Sequence, residues 1–179
     1  MRLFIAVNFS EEVKNQIEHI ETKLKKVIEK GNFTIKDNLH LTLAFIGDTD
    51  RVTELKQCID QVNEEAFVLV LKDLGAFRSG SGSLCWLGVD KSVKLNTVYN
   101  KLKKALEDFG FPVESREFKP HLTLARQALV KDGLSLRELS KEILAIEVQV
   151  DKISLMKSER INGKMKYTEI YKRELNKKG

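Results

Sequence analysis

The sequence predicts an α+β fold in which two mixed or antiparallel sheets face a central groove and helices pack outside. Three observations carry that expectation. Apolar residues alternate at period two in some stretches and recur at steps of three and four in others, so strands and helices interleave along the chain. The pentapeptide His-Leu-Thr-Leu-Ala occurs twice, at 40–44 and at 121–125. Each copy sits in a strand-like segment that follows an amphipathic helical one, which is the pattern of a duplicated unit. Residues 1–179 are therefore expected to form one domain of two pseudo-symmetric lobes, each contributing one copy.

Arg2 to Phe9 reads as a strand, and Ser10 follows it as an N-cap candidate with Glu11 and Glu12 in the first turn, where the helix dipole favours acids. Val13, Ile17, Ile20, Leu24 and Val27 form one apolar stripe of a helix reaching about Lys30, with His19 off the stripe as a solvated residue. Gly31-Asn32 breaks that helix, and an extended segment runs from Ile35 to Gly47. Asp48-Thr49-Asp50 offers caps for a second helix carrying Val52, Leu55, Ile59 and Val62. The continuous apolar run from Ala66 to Leu74 reads as a strand covered on both faces. Phe77 to Ser83 reads as a flexible connection, after which Leu84 to Val89 resumes a strand. A third helix carries Leu95, Val98, Leu102, Ala105 and Phe109 and closes at Gly110. A further extended segment ends in Lys119 to Arg126, and Ser135 with Glu138 forms a capping box for a short fourth helix. Two long strands, about Leu144 to Lys157 and Lys164 to Leu175, finish the chain around an Asn162-Gly163 hairpin signal.

Composition narrows the function classes. A chain of 179 residues with 42% hydrophobic content can bury about 70% of the surface its unfolded form exposes, so it needs no disulfide or structural metal to hold a core. Cys58 and Cys85 cannot supply a disulfide framework or a Cys-rich zinc site, which points to a reduced, cytoplasmic protein. The N-terminus turns acidic at Glu11-Glu12 and reads as a strand rather than a signal peptide, and no segment has the ~20 apolar residues of a membrane helix. The net charge of +5 permits a polyanionic partner, although the lysines are spread over helix faces and the C-terminal tail as solvated positions. A monomer is expected.

Histidine is the scarce residue: the chain has three, and two of them begin the repeated pentapeptide. Strict alternation places His40 and Thr42 on one face of a strand with Leu41, Leu43 and Phe45 on the other, and likewise His121 and Thr123 opposite Leu122 and Leu124. Convergence of the two faces across one cleft gives two imidazoles and two hydroxyls. Two imidazoles near pKa ~6.5 can act as base and acid at neutral pH, and hydroxyls can donate to non-bridging phosphoryl oxygens. In-line displacement at phosphorus needs that pair on opposite sides. There is no third motif histidine, no HExxH and no Cys pair for zinc, no G-x-S-x-G elbow and no P-loop. Trp86, Phe9, Phe45 and Phe118 are read as core in preference to base-stacking residues.

The chain resembles the two-histidine phosphoesterase superfamily and, within it, the RNA 2′,3′-cyclic phosphodiesterases, also called 2′-5′ RNA ligases. The likeness rests on Arg2 to Ala6, Asn38 to Gly47, Phe77 through Trp86-Leu87-Gly88-Val89, and Phe118 to Arg126. It implies a bilobal α+β fold with the motifs facing one groove. It implies His40 as proton donor to the departing oxygen, His121 as proton acceptor from water, and Thr42 and Thr123 as phosphate holders. Arg126 corresponds to a basic residue common after the second motif, although strict alternation points it away from His121 unless the strand bulges. The implied reaction opens RNA 2′,3′-cyclic phosphate ends to 2′-phosphomonoesters, or runs backwards as 2′-5′ ligation, with no metal, ATP or other cofactor. The alternatives are a non-catalytic module binding a nucleotide or RNA phosphate, and a phosphodiesterase acting on small cyclic nucleotides or an ADP-ribose cyclic phosphate. Where relatives often carry proline and arginine before the tryptophan, this chain has Ser79-Gly80-Ser81-Gly82-Ser83.

Overall fold

The computed structural model describes residues 1–179, in the order β1 (Arg2–Asn8), α1 (Glu11–Val27), β2 (Ile28–Phe33), β3 (His40–Asp48), α2 (Val52–Asp60), β4 (Phe67–Ser79), β5 (Gly82–Val89), α3 (Val93–Asp108), β6 (His121–Val130), α4 (Leu136–Ser140), β7 (Ile146–Val150), β8 (Lys152–Ile161) and β9 (Lys164–Glu174). Helix starts follow local chemistry. Ser10 Oγ accepts from the Val13 N–H at 3.3 Å, Ser92 Oγ from Leu95 at 3.1 Å and Ser135 Oγ from Arg137 at 3.2 Å, each satisfying a donor that the first turn would leave unpaired. Before α2, Thr49 Oγ1 accepts from the Arg51 N–H at 3.1 Å. Past α3, Gly110 at φ +74° provides the left-handed residue that ends the helix.

Two antiparallel sheets result, one ordered β3-β1-β8-β9 and the other β2-β6-β5-β4-β7. The fold is α+β, with every strand pair antiparallel. Forty buried apolar residues from both sheets and the helices form one connected core, so the sheets share an interior instead of holding one each.

Several elements differ from the sequence reading, each for a physical reason. α1 ends at Val27 and Ile28–Phe33 is a strand, because pairing with β6 competes successfully for residues that the helical stripe would have claimed. The run from Ala66 to Leu74 is fully covered on one face and only partly on the other, since Leu69 and Leu71 are buried while Val70 is half-buried and Val68 is 52% exposed. Phe77 to Ser83 is the end of an ordered hairpin: β4 runs to Ser79, Gly82 opens β5, and Ser79 Oγ donates to the Gly82 carbonyl at 2.6 Å. The last third has three strands. At Asp151 the chain leaves β7 in one sheet and enters β8 in the other. β8 and β9 then join at Asn162 (φ +50°) and Gly163 (φ +78°), the paired left-handed residues of a tight hairpin.

Candidate active site

Both motif strands carry the same irregularity. In β3, Thr42 pairs with Ala6 and Ala44 with Ile5, so Leu43 is an extra residue relative to β1. In β6, Thr123 pairs with Trp86 and Ala125 with Cys85, so Leu124 is the extra residue. A bulge reverses the facing of the residues beyond it. Phe45 and Arg126, each one residue past the second motif leucine's alanine, are thereby turned to the groove that also holds His40, Thr42, His121 and Thr123. That groove, about 960 Å³, lies between the sheets where β3 meets β6. The bulge corrects the expectation for Phe45, which is 47% exposed and lies beneath the Arg2 guanidinium at 5.2 Å instead of packing with Leu41 and Leu43. It also supplies the route by which Arg126 reaches the cleft.

Each imidazole is fixed by the backbone two residues before it. His40 Nδ1–H donates to the Asn38 carbonyl at 2.6 Å, and His121 Nδ1–H donates to the Lys119 carbonyl at 2.7 Å. A carbonyl can only accept, so the neutral rings carry their proton on Nδ1 and Nε2 is the nitrogen left for chemistry.

The two rings are otherwise in unlike settings. His40 Nε2 is 2.9 Å from Thr42 Oγ1, and its ring lies between Phe4 (4.8 Å, tilted) and Tyr167 (5.2 Å, edge-on). Burial among these rings holds the His40 pKa below its ordinary value; the Asn38 carbonyl opposes that effect, and the positive charges of Arg126 and Lys14 add to it. His121 stands at the groove wall with Phe77 edge-on at 5.1 Å. Thr34 Oγ1 donates to the Thr123 carbonyl at 2.9 Å, tying the second motif to the passage between β2 and β3. No three His, Cys, Asp or Glu side chains surround a common point that could hold a metal ion.

A family model described as the 2′-5′ RNA ligase superfamily matches residues 9–162. The chain belongs to the 2′-5′ RNA ligase superfamily. Among curated members similar to it, the RNA 2′,3′-cyclic phosphodiesterase of Thermotoga maritima is 32% identical over 163 residues, covering 88% of this chain and 87% of that protein. The Escherichia coli protein of the same name is 32% identical over 130 residues, covering 71% and 72%. The crystal structure of Escherichia coli LigT complexed with 3′-AMP matches with a TM-score of 0.80 at 28% identity over 97% of each chain.

Within this superfamily member, sequence reasoning passed over the residues that hold the histidines in place. Asn38 is 8% exposed, and its Nδ2 donates to the Met165 carbonyl at 2.9 Å, which anchors the same residue whose carbonyl grips His40. Asn38 and Lys119 stand at the same offset before the two histidines, a signal that the repeat itself could have supplied. Tyr167 had none, since it comes from a hairpin 127 residues away. Of the residues read as core, Phe9 is buried, whereas Phe118 lines the groove stacked on Tyr99 at 3.9 Å. Trp86 is half-buried, lying across Gly75, where any Cβ would overlap its indole.

Proposed function

We propose that this chain is a single domain of two pseudo-symmetric lobes that hydrolyses RNA 2′,3′-cyclic phosphate ends to 2′-phosphomonoesters. The observation that carries the reading is the presence, in one groove, of two imidazoles whose Nδ1 atoms are both committed to backbone carbonyls. Each therefore offers Nε2 to a phosphate between them. The names of the curated relatives supply the substrate class.

His121 Nε2 takes the proton of a water as its oxygen attacks phosphorus, and His40 Nε2–H protonates O3′ as the P–O3′ bond breaks. Thr42, Thr123 and Arg126 donate to the non-bridging oxygens, whose charge grows in the transition state. The low proton affinity of His40 fits this role once substrate is considered. Arg126 is one of the charges that hold the His40 pKa down, and a bound phosphate anion neutralises that effect, so substrate binding raises the proton affinity of the acid. Run backwards with a 5′-hydroxyl in place of water, the same transfers make a 2′-5′ linkage. No step is routed through a metal or ATP, and the protein acts as a cytoplasmic monomer.

The test is turnover of a short RNA and of a mononucleotide, both ending in a 2′,3′-cyclic phosphate. His40→Ala and His121→Ala are each expected to lower kcat by about 10² to 10⁴, the usual range for one positioned acid or base. Undiminished hydrolysis in both variants overturns the mechanism, and retained RNA binding without turnover in the wild type assigns a capture module instead.

A further inference from the structure

The aromatic surroundings of the two histidines are divided. Phe4 and Tyr167 enclose His40, whereas His121 has Phe77, edge-on at 5.1 Å. Phe77 is 39% exposed and lines the groove. Its position is set from behind: Trp86 meets it at 5.5 Å, and Trp86 is itself laid against the sheet because Gly75 has no Cβ and so leaves room for the indole. Phe45, another exposed groove aromatic, has the Arg2 guanidinium over its ring, while no cation lies over Phe77. A rigid, exposed ring beside one reacting nitrogen is a stacking surface for a base.

We infer that Phe77, backed by Trp86, is the stacking site for the nucleobase of the attacking 5′-hydroxyl nucleoside, a subsite separate from the one that holds the cyclic phosphate nucleotide. The inference rests on the acid and base assignment proposed above. In-line displacement puts the nucleophile opposite the departing O3′. O3′ belongs to the nucleoside that carries the cyclic phosphate, so that nucleoside lies toward His40 and the attacking group lies toward His121. For hydrolysis the attacker is water and Phe77 has nothing to stack. For ligation it is the O5′–H of a second nucleoside: the P–O5′ bond forms, the P–O3′ bond breaks, the O5′ proton goes to His121 Nε2, and the His40 Nε2 proton goes to O3′. The product is a 2′-5′ diester with a free 3′-hydroxyl. The two imidazoles return to their starting states by exchange with water.

Microscopic reversibility gives the assay, because the same subsite must hold the leaving nucleoside when a 2′-5′ diester is cleaved back to a cyclic phosphate. Two substrates with chemically similar leaving alcohols are compared: 2′-5′-linked adenylyl-adenosine, and the methyl ester of adenosine 2′-phosphate. Wild-type kcat/KM is expected to favour the dinucleotide by about tenfold, the lower part of the range for stacking one base on an aromatic side chain. Phe77→Ala is expected to bring the ratio near one, and Phe77→Tyr to restore it. Hydrolysis of adenosine 2′,3′-cyclic phosphate by the same variants reports the chemistry common to all three substrates. If Phe77→Ala slows both diesters equally, or the wild type shows no preference, the subsite is overturned while the hydrolase reading stands. If His40→Ala and His121→Ala still open the cyclic phosphate, the underlying assignment fails instead.

Discussion

Glu21 presents a test of how α1 is held. It lies on the buried side of the helix at 5% exposure, and its Oε1 has no hydrogen-bond partner. Loss of hydration raises its pKa from 4.5 to about 7, with Lys25 opposing that shift and Glu18 adding to it. Each pKa unit is 1.36 kcal/mol, so a rise of this size corresponds to about 3 kcal/mol of folding free energy. The sign is set by proton binding. The folded state holds its proton more tightly than the unfolded chain, so the stability is fully present below pH 4.5 and is lost as pH rises through about 7. Glu21→Gln removes the titration at nearly constant volume. Urea unfolding at pH 4.5 and at pH 8 is expected to show the variant about 2 to 3 kcal/mol more stable at the higher pH and near parity at the lower, after allowance for some relaxation of the carboxylate toward water. In a chain of this size that is a rise in Tm on the order of 5 to 10 °C at pH 8. A difference between variant and wild type that stays constant from pH 4.5 to 8 refutes desolvation as the origin.

The other expectations concern the groove. In an NMR titration the His40 ring should protonate below the ordinary midpoint, and Arg126→Gln should move that midpoint upward by removing a nearby positive charge; an unmoved or lower midpoint places Arg126 away from His40. Asn38→Ala removes the hydrogen bond that Nδ2 donates to the Met165 carbonyl but keeps the backbone carbonyl that grips His40, so kcat should fall by about tenfold with KM little changed; a rise in KM alone would show that Asn38 serves binding. Gly75→Ala drives a methyl group into the single tryptophan and should cost about 1 to 3 kcal/mol while shifting its fluorescence, whereas an unchanged spectrum shows that the indole does not need that space.

The helices and the repeated motif were legible because their signals are local. Ser10 with Glu11 and Glu12 announces a helix start, and a duplicated pentapeptide announces two like strands. The features that escaped depend on partners remote in sequence. Nothing in Ile28 to Phe33 says that it pairs with β6, and nothing at Asp151 marks a change of sheet. The bulges at Leu43 and Leu124 were also hidden, since Leu is as well suited to a regular strand as to an irregular one. The facing of Phe45 could not be read without them, and that of Arg126 depended on one being present. His40 and His121 were identifiable by scarcity and repetition. Asn38, Tyr167 and Phe77 meet them through contacts that only the assembled sheets create.

The single residue between β7 and β8, with the one core behind it, has a consequence in time as well as in shape. A linker of that length, backed by one shared core, couples the two sheets, so the strands that carry His40 and His121 are expected to keep their spacing from one substrate to the next. Turnover by such an enzyme should follow the encounter and the proton transfers, and stay indifferent to solvents that slow the swinging of domains.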